Sequence, residues 1–297
     1  MKKFLAIAFI LIAVISWSLS FPLVKILLNN NVPPITMAML RHLIFIPMLI
    51  FITLRDGKTS FSHTKKAWLT FLLLGIFTIF IPNVSQNIGM QYTTASTSSI
   101  IQSSTPIFTI ILAFIFLKES KNFSKIIGTV IAMIGVILLV SGGKIEMGGT
   151  TYGNTLILIS CVSYAISGVI LKRGLMEIKA SHLLCFETLF GFVFLFFSTL
   201  MFENVYTIAT FDVYTWFLIA ILAIFASGIA AILYYVVLID TELSQLIVFV
   251  YLIPLFAVVF SYFMLGETVS LQILFFAALI ISGVVIAQKN KVERRGV

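Results

Sequence analysis

Residues 95–119, ASTSSIIQSSTPIFTIILAFIFLKE, and residues 243–267, LSQLIVFVYLIPLFAVVFSYFMLGE, carry one pattern twice. Ser96 matches Ser244, Pro106 matches Pro254, Phe108 matches Phe256, Leu117 matches Leu265 and Glu119 matches Glu267, always 148 positions apart. Farther on, Gly135 and Gly283 keep the same offset. Between serine and leucine neither copy holds a charge. A helix rising 1.5 Å per residue needs about 20 apolar residues to cross a hydrocarbon core of about 30 Å. Each copy is long enough, so a membrane-crossing segment stands at the same place in two related units.

Composition agrees with lipid as the solvent. Of 297 residues, 60% are hydrophobic and 10% charged, and the mean hydropathy is +1.14. A soluble domain has about 45–50% apolar and about 25% charged residues. Ten apolar stretches follow one another, at 4–28, 35–54, 67–90, 93–117, 124–140, 152–172, 181–201, 214–238, 242–265 and 270–288. The fifth is the shortest, and around Gln91, Tyr92 and Thr93 the third and fourth are close enough to require a tight hairpin. Met1-Lys2-Lys3 before an apolar run, with Ser16 and Ser18 beyond, also has the look of a secretory signal. The run continues through Trp17 to Leu28, too long for one, and is read as a retained first span.

The offset encloses five stretches, an odd number, so the second unit enters the membrane the other way up. The expected fold is an all-α polytopic membrane protein with ten transmembrane helices, arranged as two inverted five-helix repeats over 1–145 and 146–297. Placing the N-terminus in the cytoplasm puts sixteen of the nineteen bases on that side, including Arg55, Lys65, Lys66, Lys172 and Arg173. Only Lys144 falls in an outer loop, whereas Glu146, Glu203, Asp212 and Glu267 lie outside. By the positive-inside rule both termini are cytoplasmic. Inverted repeats suit alternating access, in which two like halves open a midplane site to each side in turn.

The run Ile88 to Ser96 leading to Pro106 and Leu117-Lys118-Glu119, with Tyr234 to Leu238 leading to Pro254 and Leu265-Gly266-Glu267, resembles the EamA-type drug/metabolite transporter superfamily. Trp17, Ser18, Lys25 and Arg41 are similar to the pattern of that family's first two helices. The resemblance covers nearly the whole chain. It implies a ten-helix carrier with a central cavity, commonly an exporter of amino acids or related metabolites, and leaves the cargo open.

Residues about ten positions into a span lie near the midplane. Trp17, Gln102, Ser103, Ser163, Tyr164 and Tyr251 qualify, and Ser103 and Tyr251 are repeat mates. Polar groups at that depth either line a wet cavity or tie helices together. Trp17 and Tyr164, distant from the interface that aromatic rings prefer, are expected to line the cavity and to receive an apolar group, a ring or an ammonium ion. Asn83, Gln86 and Asn87 stand on the outer half of span three, where amides facing lipid are costly, and are assigned to the cavity or its outer mouth. Arg41 either snorkels outward or binds a substrate carboxylate bidentately. Glu187 has no cation at its depth, about 12 Å from Arg41 by helix rise, and is assigned to proton coupling, a common use of intramembrane acids. His42 is read as packed. Pro106 and Pro254 are read as paired kinks, and Glu119 and Glu267 as caps for the next helix or seals of a gate. The resemblance favours a structural role for the two acids. The small face of Gly128, Ala132 and Gly135, and a weaker one at Ala278 and Ser282, suits packing within the chain or a homodimer seam.

Other classes fit less well. The bases form no face or tail for nucleic acid. Cys161 and Cys185 have no metal spacing and are read as buried thiols. No HExxH, GxSxG, P-loop or intramembrane aspartate pair is present, so neither an enzyme, a metal site nor a cofactor is expected. No filter-like loop suggests a channel. The expected partners are a small-molecule substrate and the bilayer of the cell membrane. Within transport, amino-acid or metabolite export is preferred, and efflux of lipophilic cations is the alternative.

Overall fold

The computed structural model describes residues 3–55, 64–92, 95–102, 104–119, 123–140, 151–265 and 271–287. Among them no strand occurs, as expected where no lipid molecule can satisfy a backbone amide. The helices are α1 (Lys3–Asn29), α2 (Pro34–Arg55), α3 (Lys65–Gln91), α4 (Ala95–Gln102), α5 (Thr105–Leu117), α6 (Phe123–Val140), α7 (Thr151–Gly174), α8 (Ala180–Phe202), α9 (Val213–Asp240), α10 (Leu243–Met264) and α11 (Leu271–Ala287). Seven, namely α1, α2, α3, α7, α8, α9 and α10, are long and apolar enough to cross a membrane; α5, α6 and α11 contain shorter apolar helices. The chain is a multi-pass membrane protein.

Local chemistry sets several ends. Asn31 takes a left-handed conformation, φ 60°, which asparagine tolerates, and closes α1 with Val32 N donating to Leu27 O. Thr64 caps α3 by accepting from Ala67 N, and Asp212 caps α9 by accepting from Thr215 N.

Besides α5, which ends in a π turn at Ala113–Leu117, three helices are irregular inside. A π turn at Gly75–Phe80 interrupts α3 just before Pro82, whose ring clashes with the carbonyl four residues earlier. A second π turn, Leu222–Ile229, lies inside α9. In α10, Ile247–Leu252 winds as a 3-10 helix before Pro254. Pro106 stands in the first turn of α5, after α4 has ended. Pro106 thus begins a helical segment, where its missing N–H costs nothing, whereas Pro254 lies inside α10, directly after its change from 3-10 to α winding.

The packing joins α6 to α11, α2 to α8, α1 to α9 and α10, and α7 to α3 and α5. The α6–α11 crossing brings two backbones close together. A Cβ on Gly128 would meet the backbone of Gly283 and Ala287, one on Gly283 would meet that of Ala132 and Gly128, and one on Gly135 would stand 2.9 Å from Ile280 N. The small face of α6 is therefore used within the chain. Its partner ridge is Ile280, Gly283 and Ala287, whereas Ala278 and Ser282 are exposed. The contacts also pair by the sequence offset: Gly135 meets Ile280, and their mates Gly283 and Ala132 meet each other.

Candidate functional site

Every helix except α6 and α11 contributes to one cavity with about 1330 Å³ of space between its walls, its mouth included. The sequence candidates Trp17, Arg41, Asn83, Gln86, Gln102, Tyr164 and Glu187 all line it. Tyr251 does not. It is fully buried, while Ile247, Val250 and Ile253 face the cavity, because the 3-10 winding of that stretch shifts which side chains point inward. Ser103 and Glu267 lie outside the described residues.

Arg41 does not reach outward along its helix. Its Nη2 donates to Asn83 Oδ1 at 2.5 Å, and Asn83 Nδ2 donates to Ile79 O at 2.6 Å, so α3 fixes the guanidinium at the cavity edge. The Arg41 Nε is buried without an acceptor. Asn87 also lines the cavity, and its Nδ2 donates to Pro34 O at 3.1 Å. His42 donates from Nδ1 to Ala38 O at 2.7 Å and is buried, although its side chain also touches the cavity.

Glu187 is 1% exposed, and its Oε2 has no hydrogen-bond partner. Tyr235 lies beside the carboxyl, but its hydroxyl completes no bond of normal geometry. Thr78 Oγ1 and Ser227 Oγ, also at the cavity, are likewise buried and unpartnered. Arg41 and Glu187 are not joined, whereas Lys66 pairs with Glu177 and Lys125 with Glu242. The separation follows from α3. A Cβ on Gly75 would stand 3.1 Å from the Glu187 carbonyl oxygen, and Asn83, which holds Arg41, lies eight residues farther on. That is at most about 12 Å along the axis.

Trp17 and Tyr164 both line the cavity. The Trp17 ring packs on Tyr234, with centroids 5.4 Å apart. Trp17 Nε1 donates to Ala226 O at 3.1 Å, and Ser163 Oγ donates to Phe77 O at 2.8 Å. Both acceptors belong to π turns, whose widened winding leaves carbonyls to be satisfied from outside the helix. Gln102 accepts from Ser160 Oγ at 3.0 Å and donates to Thr105 Oγ1 at 3.4 Å.

Charged clasps close both ends of the bundle. Lys118, with φ 52°, turns the chain after α5. Glu119 then accepts from Leu243 N at 2.7 Å and Ser244 N at 2.9 Å, capping α10 instead of the next helix in sequence. Lys125 donates to Glu242 and to Ser244 Oγ, and Lys172 donates to Leu238 O, Ile239 O and Thr241 O. At the other end Glu203 accepts from Ile35 N at 2.9 Å, and from Thr36 N at 2.6 Å and Thr36 Oγ1 at 2.7 Å. Lys25 there donates to Met90 O at 3.0 Å.

Sequence reasoning missed Thr78, Ser227, Tyr234 and Tyr235 as lining residues, and Glu203 and Lys172 as clasps. In sequence, Tyr234 and Tyr235 stand out only through the family resemblance. The one available signal was the rarity of adjacent hydroxyl-bearing rings deep in an apolar run.

The chain is similar to known proteins along nearly its whole length. The EamA-like transporter family model matches residues 4–141 and again 151–288. An uncharacterized transporter of Archaeoglobus fulgidus is 27% identical over 256 residues, 84% of this chain and 86% of that one. The uncharacterized transporter YvbV of Bacillus subtilis is 26% identical over 289 residues, 95% of this chain and 91% of its own. One solved crystal structure shares the fold with a TM-score of 0.77 at 15% identity, over 96% of each chain. Matched twice along its length, the chain belongs to the EamA-like transporter family.

Proposed function

We propose that this protein is a secondary transporter of the cell membrane that exports amino acids or related small metabolites by alternating access through the cavity. On this reading ten helices form two inverted repeats, 1–145 and 146–297, with both termini cytoplasmic; α4 and α5 together make the fourth span. The offset-matched contacts of α6 with α11 support the repeat, since a pseudo-two-fold axis through that crossing exchanges Gly135–Ile280 with Gly283–Ala132.

The observation that carries the reading is one cavity holding an unsatisfied guanidinium nitrogen on Arg41 and an unsatisfied carboxylate oxygen on Glu187. Charges buried without partners are costly. A ligand bearing a carboxylate and an ammonium group would relieve both, while Trp17, Tyr164 and Tyr234 accommodate its apolar part. Pro106, Pro254, Glu119 and Glu267 serve gating or structure, and Glu187 exchanges its ligand for a proton.

The test loads proteoliposomes with amino acids, nucleobases and quaternary ammonium compounds and follows efflux by mass spectrometry for wild type and Trp17→Ala. Selective amino-acid release, weakened in the variant, is expected. The second reading, efflux of lipophilic cations, draws on the Trp17–Tyr234 ring pair near a lone acid, and selective release of the ammonium compounds would establish it instead. Glu187→Gln is expected to abolish stimulation by a pH gradient; full stimulation would remove Glu187 from coupling.

A further inference from the structure

Asn83 anchors a buried charge without cancelling it. Its Oδ1 accepts from Arg41 Nη2 at 2.5 Å and its Nδ2 donates to Ile79 O at 2.6 Å, and the residue is 3% exposed. The amide cannot be turned over. A flip would set Nδ2 against the guanidinium, donor facing donor, and Oδ1 against the Ile79 carbonyl, acceptor facing acceptor. The helix therefore offers the guanidinium a single neutral oxygen, while Arg41 Nε stays buried with no acceptor. A carboxylate in the same place would bind the guanidinium as a fork and supply its counter-charge. The other ionisable side chains at the cavity leave that role open as well. His42 is tied to Ala38 O through Nδ1, and Glu187 Oε2 is itself without a partner.

Resting on the transport reading above, we infer that Asn83 sets the charge selectivity of the cavity, as a neutral anchor that orients Arg41 and leaves its positive charge for the carboxylate of the cargo. Asn83 acts through Arg41 and is a positioning residue. The class selected carries a free carboxylate; the amide of the same molecule loses the charge-assisted pair and is disfavoured.

The experiment uses the purified full chain in lipid nanodiscs and measures dissociation constants for the standard L-amino acids, and for the α-carboxamide of each one that binds, in wild type, Asn83→Asp and Asn83→Ala. In wild type the acid is expected to bind tighter than its amide by about ten-fold or more, the scale of one charge-assisted contact. Asn83→Asp supplies the counter-charge from the protein, and the preference for the acid is expected to vanish or reverse. Asn83→Ala removes the anchor and keeps the charge, so the acid binds more weakly yet still ahead of its amide. A purely structural role for Asn83 would weaken acid and amide together and leave their ratio unchanged in both variants. Should Asn83→Asp fail to fold, wild type and Asn83→Ala still decide, because a ratio near one in either overturns the inference. A preference for the acid that survives Asn83→Asp also overturns it. Each of these results spares the export of amino acids, whereas binding of tetraphenylphosphonium with no amino acid bound overturns both.

Discussion

Trp17 joins two functions in one side chain, a cavity wall and the donor to a carbonyl that the π turn of α9 leaves open. Trp17→Phe keeps the ring surface and strands Ala226 O. A hydrogen bond of this kind is worth about 1 kcal/mol in water and somewhat less between membrane helices. The expected outcome is a small drop in thermal stability in detergent with transport largely retained, in contrast to the transport loss of Trp17→Ala. Asp212, at the exposed start of α9, gives a pH-dependent counterpart. Hydrogen bonds from the Thr215 hydroxyl and backbone N–H hold its carboxyl below the ordinary range. A depressed value means that the stabilisation is complete above the unfolded-state value near 3.9 and is lost as pH falls through the lower folded value. Asp212→Ala is therefore expected to melt below wild type at pH 7, and the gap between the two to narrow as pH falls below the unfolded-state value. A gap that stays constant over that range would refute the capping account.

At the scale of elements, the α6–α11 crossing depends on absent side chains. A Cβ on Gly283 has only main-chain atoms of α6 to displace, so Gly283→Ala forces the helices apart. Overpacking of this kind costs about 1–3 kcal/mol. The expected reading is a clear fall in melting temperature for Gly283→Ala and Gly128→Ala, and little change for Ser282→Ala on the exposed face. Helix positions were legible in sequence because uncharged runs of bilayer length admit few other structures; α1, α2 and α8 begin and end within a residue or two of the apolar stretches. The phase within a helix was less legible. Depth alone places Tyr251 at the cavity, and the 3-10 turn that withdraws it depends on packing around Pro254 that no periodicity encodes. Arg41 and Glu187 stood out as charges in apolar runs. Thr78 and Ser227 did not, since small hydroxyls are common in membrane helices and only tertiary contacts tell which ones go unpaired.

For the whole molecule, the clasps sort the chain into two ends. Glu119, Lys125, Lys172 and the Lys66–Glu177 pair gather at one, and Glu203 with Lys25 at the other. If the first end is cytoplasmic, a cysteine replacing Tyr206, 82% exposed beyond α8, reacts with a membrane-impermeant maleimide in intact cells. A cysteine replacing Glu177 reacts only after permeabilisation. The reverse pattern would invert the topology. Background labelling is expected to be low, because Cys161 and Cys185 are both buried.

The crossing of α6 with α11 also bears on ancestry. A surface that meets its own copy, Gly135 on Ile280 and Gly283 on Ala132, works equally well whether the copies lie on one polypeptide or two. On the inverted-repeat reading proposed above, a single unit encoded once, and inserted in both orientations, would have dimerised through this seam before the genes fused. The descendant should still tolerate being cut: fragments 1–145 and 146–297, produced together from separate genes, are expected to find each other in the bilayer and restore efflux that neither supports alone.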